Sequence, residues 1–222
     1  MPPRDEREFE SRRQQIIEGA LHVFARKGFE RATNKEIADA AGIGSPGLIY
    51  HYFKDKADLF RQVIEERSPS LQLLIRSDTL MDAPPRETLT LFGNAFLETL
   101  ASDTNVALFK LLLGEAFRRP TIAGLLNSIG PARGFAFLNK YLQRQMDTGV
   151  LRRTDPGAAV RCFLGPLILY ILSREVFPQS DAQTLSPETM VATAVEIFLR
   201  GMELPTAGED SQQEEESRTL TP

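Results

Sequence analysis

The chain has 222 residues, of which 42% are hydrophobic and 25% charged, so its apolar content is sufficient for a folded core. This composition excludes an intrinsically disordered chain and a collagen-like repeat, and a single cysteine excludes a disulfide scaffold. The net charge is −4, but residues 203–222 carry six acids and one base, and residues 11–56 carry eight bases and five acids. The basic excess therefore lies near the N-terminus, where it favours a polyanionic partner.

Membrane and metal signals are weak in this sequence. The longest uncharged apolar run, 162–173, is shorter than the roughly 18 residues that a membrane-spanning helix requires. The N-terminus alternates charges and has no apolar stretch typical of a secretory signal. Cys162, His22 and His51 form no recognisable metal-binding pattern. We therefore expect a cytoplasmic protein with no membrane association, no metal and no cofactor.

Helical periodicity begins near residue 11. One apolar stripe follows the i, i+3, i+4, i+7 spacing and comprises Ile17, Ala20, Leu21 and Phe24. Gly28 stands where a glycine with positive φ ends a helix, and Phe29 follows as the apolar contact back onto that helix. The pattern predicts a first helix over residues 11–27.

Three short helices are predicted next. Thr33 and Glu36 have the spacing of a capping box, which begins a second helix that Gly42 ends. Pro46 is suited to the first turn of a third helix that extends to about Tyr52. A fourth helix begins after Asp55 and ends before the sequence Ser-Pro-Ser at 68–70.

The remaining helices are longer and begin at similar signals. We predict them over about 84–100, 103–119, 131–148, 156–176 and 187–201. The fold class is therefore all-α, with about nine helices in total. Residues 203–222 are polar and acidic, and we expect them to form a disordered tail.

Two short helices joined by a glycine-containing turn, with a longer helix before them, match the layout of a helix-turn-helix unit. Simple core packing explains that geometry equally well, so the side chains decide between the two interpretations. The third helix can bury only Ile49 and Phe53, and therefore exposes Tyr50, His51 and Tyr52. These three side chains can donate hydrogen bonds to phosphate oxygens, and Lys54 and Lys56 follow as charged phosphate ligands. The small residues at 45–47 allow the helix start to approach base edges.

Residues 33–60, TNKEIADAAGIGSPGLIYHYFKDKADLF, closely resemble the DNA-binding domain of TetR-type transcriptional repressors. The resemblance implies two domains, a DNA-binding domain over 1–67 and a larger helical domain for dimerisation and ligand binding over 68–202, which the acidic tail at 203–222 follows. It implies further that the protein is associated with the nucleoid when bound to DNA. It also implies a set of residues that contact DNA, namely Thr33, Asn34, Ser45, Pro46, Gly47, Leu48, Tyr50, His51, Tyr52 and Lys56. The turn AGIGSPGLIY is one residue longer than the family's pattern, which leaves open which residues of 44–48 touch bases.

A homodimer is expected because one short helix reads only a few base pairs, and two copies must bind half-sites related by symmetry. The last two predicted helices are apolar enough to form the interface, although central helices of a monomeric domain would look the same. The candidate interface residues are Phe163, Leu167, Ile171, Val191, Val195 and Phe198.

The resemblance also implies a small-molecule effector that releases the protein from its operator, a palindromic stretch of double-stranded DNA. The apolar composition of the C-terminal part favours a hydrophobic effector. The candidate pocket residues are aromatic, namely Phe92, Phe96, Phe109, Phe117, Phe135, Tyr141 and Tyr170. A water-excluded cavity between residues 84 and 176 would support this hypothesis.

Other functions remain to be separated from this one. No nucleophile–base pair, paired carboxylates or cofactor motif indicates an enzyme, and the apolar surroundings of Cys162 predict an inert, buried thiol. A DNA-binding regulator controlled by a protein partner or by abundance alone, without a small molecule, fits the same motifs. A helical adaptor or lipid carrier would leave Tyr50, Tyr52 and Lys56 without a role.

Overall fold

The structure is a computed structural model that describes residues 4–74 and 77–204. Its N-terminal helix is α1 (Arg4–Arg31). It begins seven residues earlier than the apolar stripe predicts. Its backbone leaves helical geometry at Gly28, where φ is 81° and ψ is 167°. This positive φ suits glycine and confirms the predicted break. Phe29 then packs back on Phe24, with ring centroids 6.1 Å apart.

Three short helices follow α1. They are α2 (Asn34–Ala40), α3 (Ile49–Tyr52) and α4 (Lys56–Arg67). A 3₁₀ turn, Pro46–Leu48, leads directly into α3. The third predicted helix is therefore present over 46–52, but its first turn is 3₁₀ rather than α-helical.

The rest of the described chain is also helical and contains no strand. Its helices are α5 (Pro69–Leu74), α6 (Ser77–Leu80), α7 (Pro85–Glu98), α8 (Asp103–Arg118), α9 (Pro120–Ile129), α10 (Pro131–Asp147), α11 (Pro156–Ile171), α12 (Ser180–Thr184) and α13 (Pro187–Gly201). The described residues thus contain 13 α-helices instead of about nine. The four that the sequence did not predict are α5, α6, α9 and α12.

Proline explains two of these omissions. Pro69 and Pro120 each follow a residue in extended conformation and begin a new helix, α5 and α9. A proline in a first turn costs no hydrogen bond because that N–H has no helical partner. The Ser-Pro-Ser sequence at 68–70 predicts only the end of a helix, whereas Pro69 also begins the next one.

Two hydrophobic cores organise the described chain. The C-terminal core joins α7, α10, α11 and α13 around Leu138 and Phe163. The N-terminal core lies within α1–α4, but Leu71, Leu108 and Ile129 of the following helices complete it. The expected boundary at residues 67 and 68 therefore falls between two helices, α4 and α5, while packing continues across it. The expected acidic tail lies outside the described residues, apart from Glu203 and Leu204.

Helix α11 continues through a π-helical segment, Leu172–Val176, and the two together match the predicted helix 156–176. This segment is long and apolar enough to cross a membrane, but core helices of soluble proteins can have the same length and composition. It is buried on one side, at Phe163 and Leu167, and exposed on the other, at Leu169. Cys162 is exposed on this helix, so the prediction of a buried thiol is wrong. The apolar pattern did not distinguish a core face from an outward face.

Candidate nucleic-acid interface

The start of α2 is held by the predicted capping box. The Thr33 hydroxyl accepts a hydrogen bond from the Glu36 amide at 3.3 Å, and the Glu36 carboxylate accepts one from the Thr33 amide at 3.2 Å. Lys27 of α1 pairs with the same carboxylate. The Lys27 ammonium and the Thr33 hydrogen bonds lower the pKa of Glu36 to about 2. The end of α1 and the start of α2 are therefore tied together by charge.

Asn34 connects α2 to α3. Its side-chain amide donates a hydrogen bond to the Tyr50 hydroxyl at 2.7 Å, while its side-chain oxygen is buried without a partner. This contact fixes the direction of the Tyr50 side chain, which is 59% exposed. Asn34 thus positions the Tyr50 side chain, while its own side chain is half-buried.

The turn before α3 is exposed. Gly42 has a φ of 63°, and the Ser45 hydroxyl accepts a hydrogen bond from the Gly47 amide at 3.2 Å. Residues 44–47 are exposed and Leu48 is half-buried. The extra residue of this turn is accommodated on the surface, next to the start of the 3₁₀ segment.

Helix α3 buries the two residues that its pattern selects. Ile49 and Phe53 are 1% and 2% exposed, whereas Tyr50 and His51 are exposed. Tyr52 is half-buried: it packs against the N-terminal core, and the ring of Phe9 lies 4.5 Å from its ring, centroid to centroid. The sequence therefore predicted the faces of this helix, while the contact with Phe9 was not predicted.

The two lysines that follow α3 have different environments. The Lys56 ammonium donates to the carbonyl oxygens of Glu30 and Ala32, each at 3.1 Å, and lies 4.8 Å from the centroid of the Phe29 ring. At most one of its three protons remains for a phosphate. Lys54 is exposed, and no described ion pair involves its ammonium group. Lys54 is therefore the better placed phosphate ligand of the two.

The predicted pocket aromatics do not converge on one cavity. Phe92, Tyr141 and Tyr170 are buried in the C-terminal core, and the two tyrosine hydroxyls donate to the carbonyls of Ala83 and Leu185. The remaining four are Phe96, Phe109 and Phe135, which are half-buried, and Phe117, which is 83% exposed. Phe117 therefore cannot line an enclosed pocket.

An open groove of about 560 Å³ lies between α9, α10 and α11. Its lining includes Phe135 and two cations, Lys140 and Arg161. The Arg161 guanidinium lies 4.6 Å from the centroid of the Phe135 ring and donates to the Gly157 carbonyl at 2.9 Å. The groove is open to solvent, so it differs from the water-excluded cavity expected between residues 84 and 176.

The predicted interface side chains lie inside one protomer. Phe163, Leu167 and Val191 are 1%, 0% and 0% exposed. The other three, Ile171, Val195 and Phe198, are buried in the same core. The exposed apolar residues of these helices are instead Ile168, Leu169 and Ile197, at 44%, 64% and 68%. Any contact with a second copy through these helices must use the outward residues, because the predicted ones already fill the core.

Comparison with known proteins matches two parts of the chain to family models. Residues 16–63 match the family model for bacterial regulatory proteins of the tetR family, and residues 87–201 match the AefR-like transcriptional repressor C-terminal domain. The fatty acid metabolism regulator protein of Bacillus subtilis is 32% identical over 94 residues, covering 42% of this chain and 48% of that protein. The matches cover 43%, 48% and 44% of three of the curated relatives, so the chain spans about half their length.

Structural comparison shows the same fold. A putative TetR-family transcriptional regulator from Mesorhizobium loti superposes with a TM-score of 0.66 and 24% identity, covering 91% of this chain and 100% of that one. The transcriptional regulator FadR from Bacillus subtilis, in complex with stearoyl-CoA, has a TM-score of 0.64 and 23% identity, covering 86% and 99%. These relatives are regulators rather than enzymes, in agreement with the sequence-based expectation. The two family models together span most of the described chain, and the protein belongs to the TetR family of bacterial regulatory proteins.

Proposed function

We propose that this protein is a homodimeric transcriptional repressor that binds a palindromic DNA operator through α2, the turn 41–48 and α3. The observation that carries the proposal is the exposed surface formed by Tyr50 and His51 of α3 and by Lys54, which follows α3. The neighbouring Ile49 and Phe53 are buried and hold this surface in place. A helical adaptor would have no use for such a surface.

The roles within this surface follow from chemistry. Tyr50 and His51 donate hydrogen bonds to phosphate oxygens, and Lys54 adds a positive charge that attracts the DNA backbone. Ser45, Pro46, Gly47 and Leu48 lie at the helix start, where small side chains allow the backbone to approach base edges in the major groove. The DNA backbone is contacted at the edges of the DNA-binding surface by Thr33, Tyr52 and Lys56. Asn34 orients Tyr50 through its hydrogen bond to the Tyr50 hydroxyl.

The test of this proposal is selection of bound sequences from random duplex DNA at about 0.15 M salt, where nonspecific phosphate attraction is weak. We expect an inverted repeat. Replacement Lys54→Ala should weaken binding to all sequences. The negative slope of the logarithm of the binding constant against the logarithm of salt concentration should become shallower by about 0.9 per half-site. The matched control Lys110→Ala, on α8, should leave both unchanged. Recovery of no sequence above background would contradict the proposal.

The effector that we propose is an amphipathic anion bound at the groove of Phe135, Lys140 and Arg161. Two cations beside apolar side chains suit a molecule that carries both a negative group and an apolar part. The structural neighbour that holds stearoyl-CoA favours a long-chain acyl-CoA as the first molecule to test. Control by a protein partner, without a small molecule, is the alternative.

The effector proposal is tested by adding stearoyl-CoA to the complex with the selected DNA. We expect release of the DNA, and we expect the double replacement of Lys140 and Arg161 by Ala to raise the required concentration at least tenfold while leaving DNA affinity unchanged. Lys110→Ala is again the control. Unchanged DNA binding in saturating stearoyl-CoA, stearate and CoA would favour the alternative without touching the DNA-binding proposal.

A further inference from the structure

The first three turns of α1 lie before residue 16, where the match to the family's DNA-binding domain begins. Phe9 lies in this segment and is 49% exposed. Its ring stands 4.5 Å from the ring of Tyr52, centroid to centroid, with 33° between the planes. An aromatic pair in this range adds attraction beyond the area that it buries. The start of α1 therefore contacts the last residue of α3.

The segment that carries Phe9 is fixed in place by Arg13, one helical turn later on the same face. The Arg13 guanidinium donates to the side-chain oxygen of Gln62 at 2.6 Å and also pairs with Glu66, both on α4. It lies 5.9 Å from the centroid of the Phe53 ring. Because α1 is anchored to α4 at this point, the ring of Phe9 is held at the end of α3.

Tyr52 needs such support because α3 is short. The helix has four residues, and the backbone is already extended at Phe53, with φ −135° and ψ 139°. Isolated helical turns of this length are unstable in water. Phe9 covers one side of the Tyr52 ring, and none of the described hydrogen bonds uses the Tyr52 hydroxyl. The hydroxyl is therefore held in place and left free for an external acceptor.

We propose that Phe9 is a positioning residue for DNA binding, which holds the Tyr52 hydroxyl toward a phosphate of the operator. The proposal rests on the proposed function, because it needs α3 to contact DNA. It adds to that function a part of the chain that lies outside the match to the family's DNA-binding domain.

The experiment measures the affinity of Phe9→Ala for the DNA selected with the parent protein. A lost hydrogen bond to phosphate of about 1 kcal/mol corresponds to about fivefold per half-site, so we expect about 25-fold weaker binding by the dimer. The salt dependence should not change, because no cation is removed. Phe9→Tyr keeps the ring and should restore binding, and Ser11→Ala, on the same segment, should bind as the parent does.

A double-mutant cycle with Tyr52→Phe separates positioning from a general loss of structure. If Phe9 acts through the Tyr52 hydroxyl, Phe9→Ala should cost less than twofold in the Tyr52→Phe background. A full loss in that background would overturn the proposal, as would parent-like binding by Phe9→Ala with unchanged circular dichroism. Either result leaves the proposed function intact. Absence of sequence-dependent binding by the parent would instead overturn both.

Discussion

At the scale of single residues, Glu36 of α2 connects the end of α1 to the start of α2. Both helices belong to the DNA-binding unit, which we define as α1–α4. The Glu36 carboxylate accepts hydrogen bonds from the Thr33 amide and hydroxyl and pairs with Lys27. The Lys27 and Thr33 hydrogen bonds lower the pKa of Glu36 from 4.5 to about 2. The folded state thus stabilises the ionised carboxylate of Glu36 relative to its protonated form, whereas the unfolded state does not.

The lowered pKa of Glu36 predicts an acid-sensitive contribution to stability. The folded-state pKa lies below the unfolded one, so this contribution is complete above pH 4.5 and is lost as the pH falls toward 2. The stability difference between the parent and Glu36→Gln, measured as the urea midpoint from pH 7 to pH 2.5, should therefore shrink below pH 4.5. Glutamine retains the reach-back hydrogen bond of the cap, so it isolates the charge. A difference that is constant across this range would contradict the prediction.

At the scale of helices, the close approach of α1 and α2 depends on Gly19. A Cβ atom added there would lie 2.7 Å from the backbone nitrogen of Ala41 and 2.9 Å from its Cα. A flexible side chain could move away from such a contact, but backbone cannot. Gly19 lies inside the helical pattern of α1, and a glycine within such a pattern is the signal that could have indicated this contact.

Replacement Gly19→Ala should therefore destabilise the protein, although alanine favours helix by about 1 kcal/mol. Overpacking costs about 1–3 kcal/mol and more against backbone, so we expect a net loss of about 2 kcal/mol. For a chain of this size that lowers Tm by roughly 4–8 °C. Gly124→Ala is the matched control, because nothing lies within 4 Å of the added Cβ and α9 should gain stability. Equal shifts of Tm in both variants would refute the role of Gly19.

At the scale of the whole molecule, the outward faces of α11 and α13 remain uncovered. Leu169 and Ile197 are more than half exposed, and Cys162 and Pro166 are exposed on the same helix as Leu169. Exposed apolar residues on two neighbouring helices suit an interface between two copies of the chain. We therefore propose this surface, rather than Phe163 and its neighbours in the core, as the interface of the dimer.

The proposed dimer predicts that Leu169→Glu yields a monomer, because the charge would be buried without a partner at the interface. Sedimentation equilibrium should give twice the chain mass of 24.8 kDa for the parent and one chain mass for the variant. Affinity for the inverted repeat should fall by at least about 100-fold, since the two DNA-binding units are no longer linked. Phe117→Glu, at an apolar residue of α8 that is more exposed than Leu169, should remain dimeric. A monomeric parent would exclude this interface.

Local signals in the sequence determined the helices of the DNA-binding unit and the faces of α3. The capping box at Thr33 and the positive φ at Gly28 follow from interactions within a few residues, and the i, i+4 spacing of Ile49 and Phe53 selects the side of α3 that packs in the core. Such short-range effects can be read from spacing alone. The longer helices α7, α8, α10, α11 and α13 were predicted for the same reason.

Only the tertiary structure decided which surfaces are shared between helices. Periodicity predicts that an apolar face is buried, but it does not distinguish a core contact from a contact with a second copy. Only the structure shows that Phe163 and its neighbours pack in the core of one chain. The contact of Phe9 with Tyr52 and the hydrogen bonds of Lys56 to Glu30 and Ala32 join residues 24 to 43 positions apart. Their formation depends on how α1 packs against α3 and α4, and no local pattern encodes that geometry.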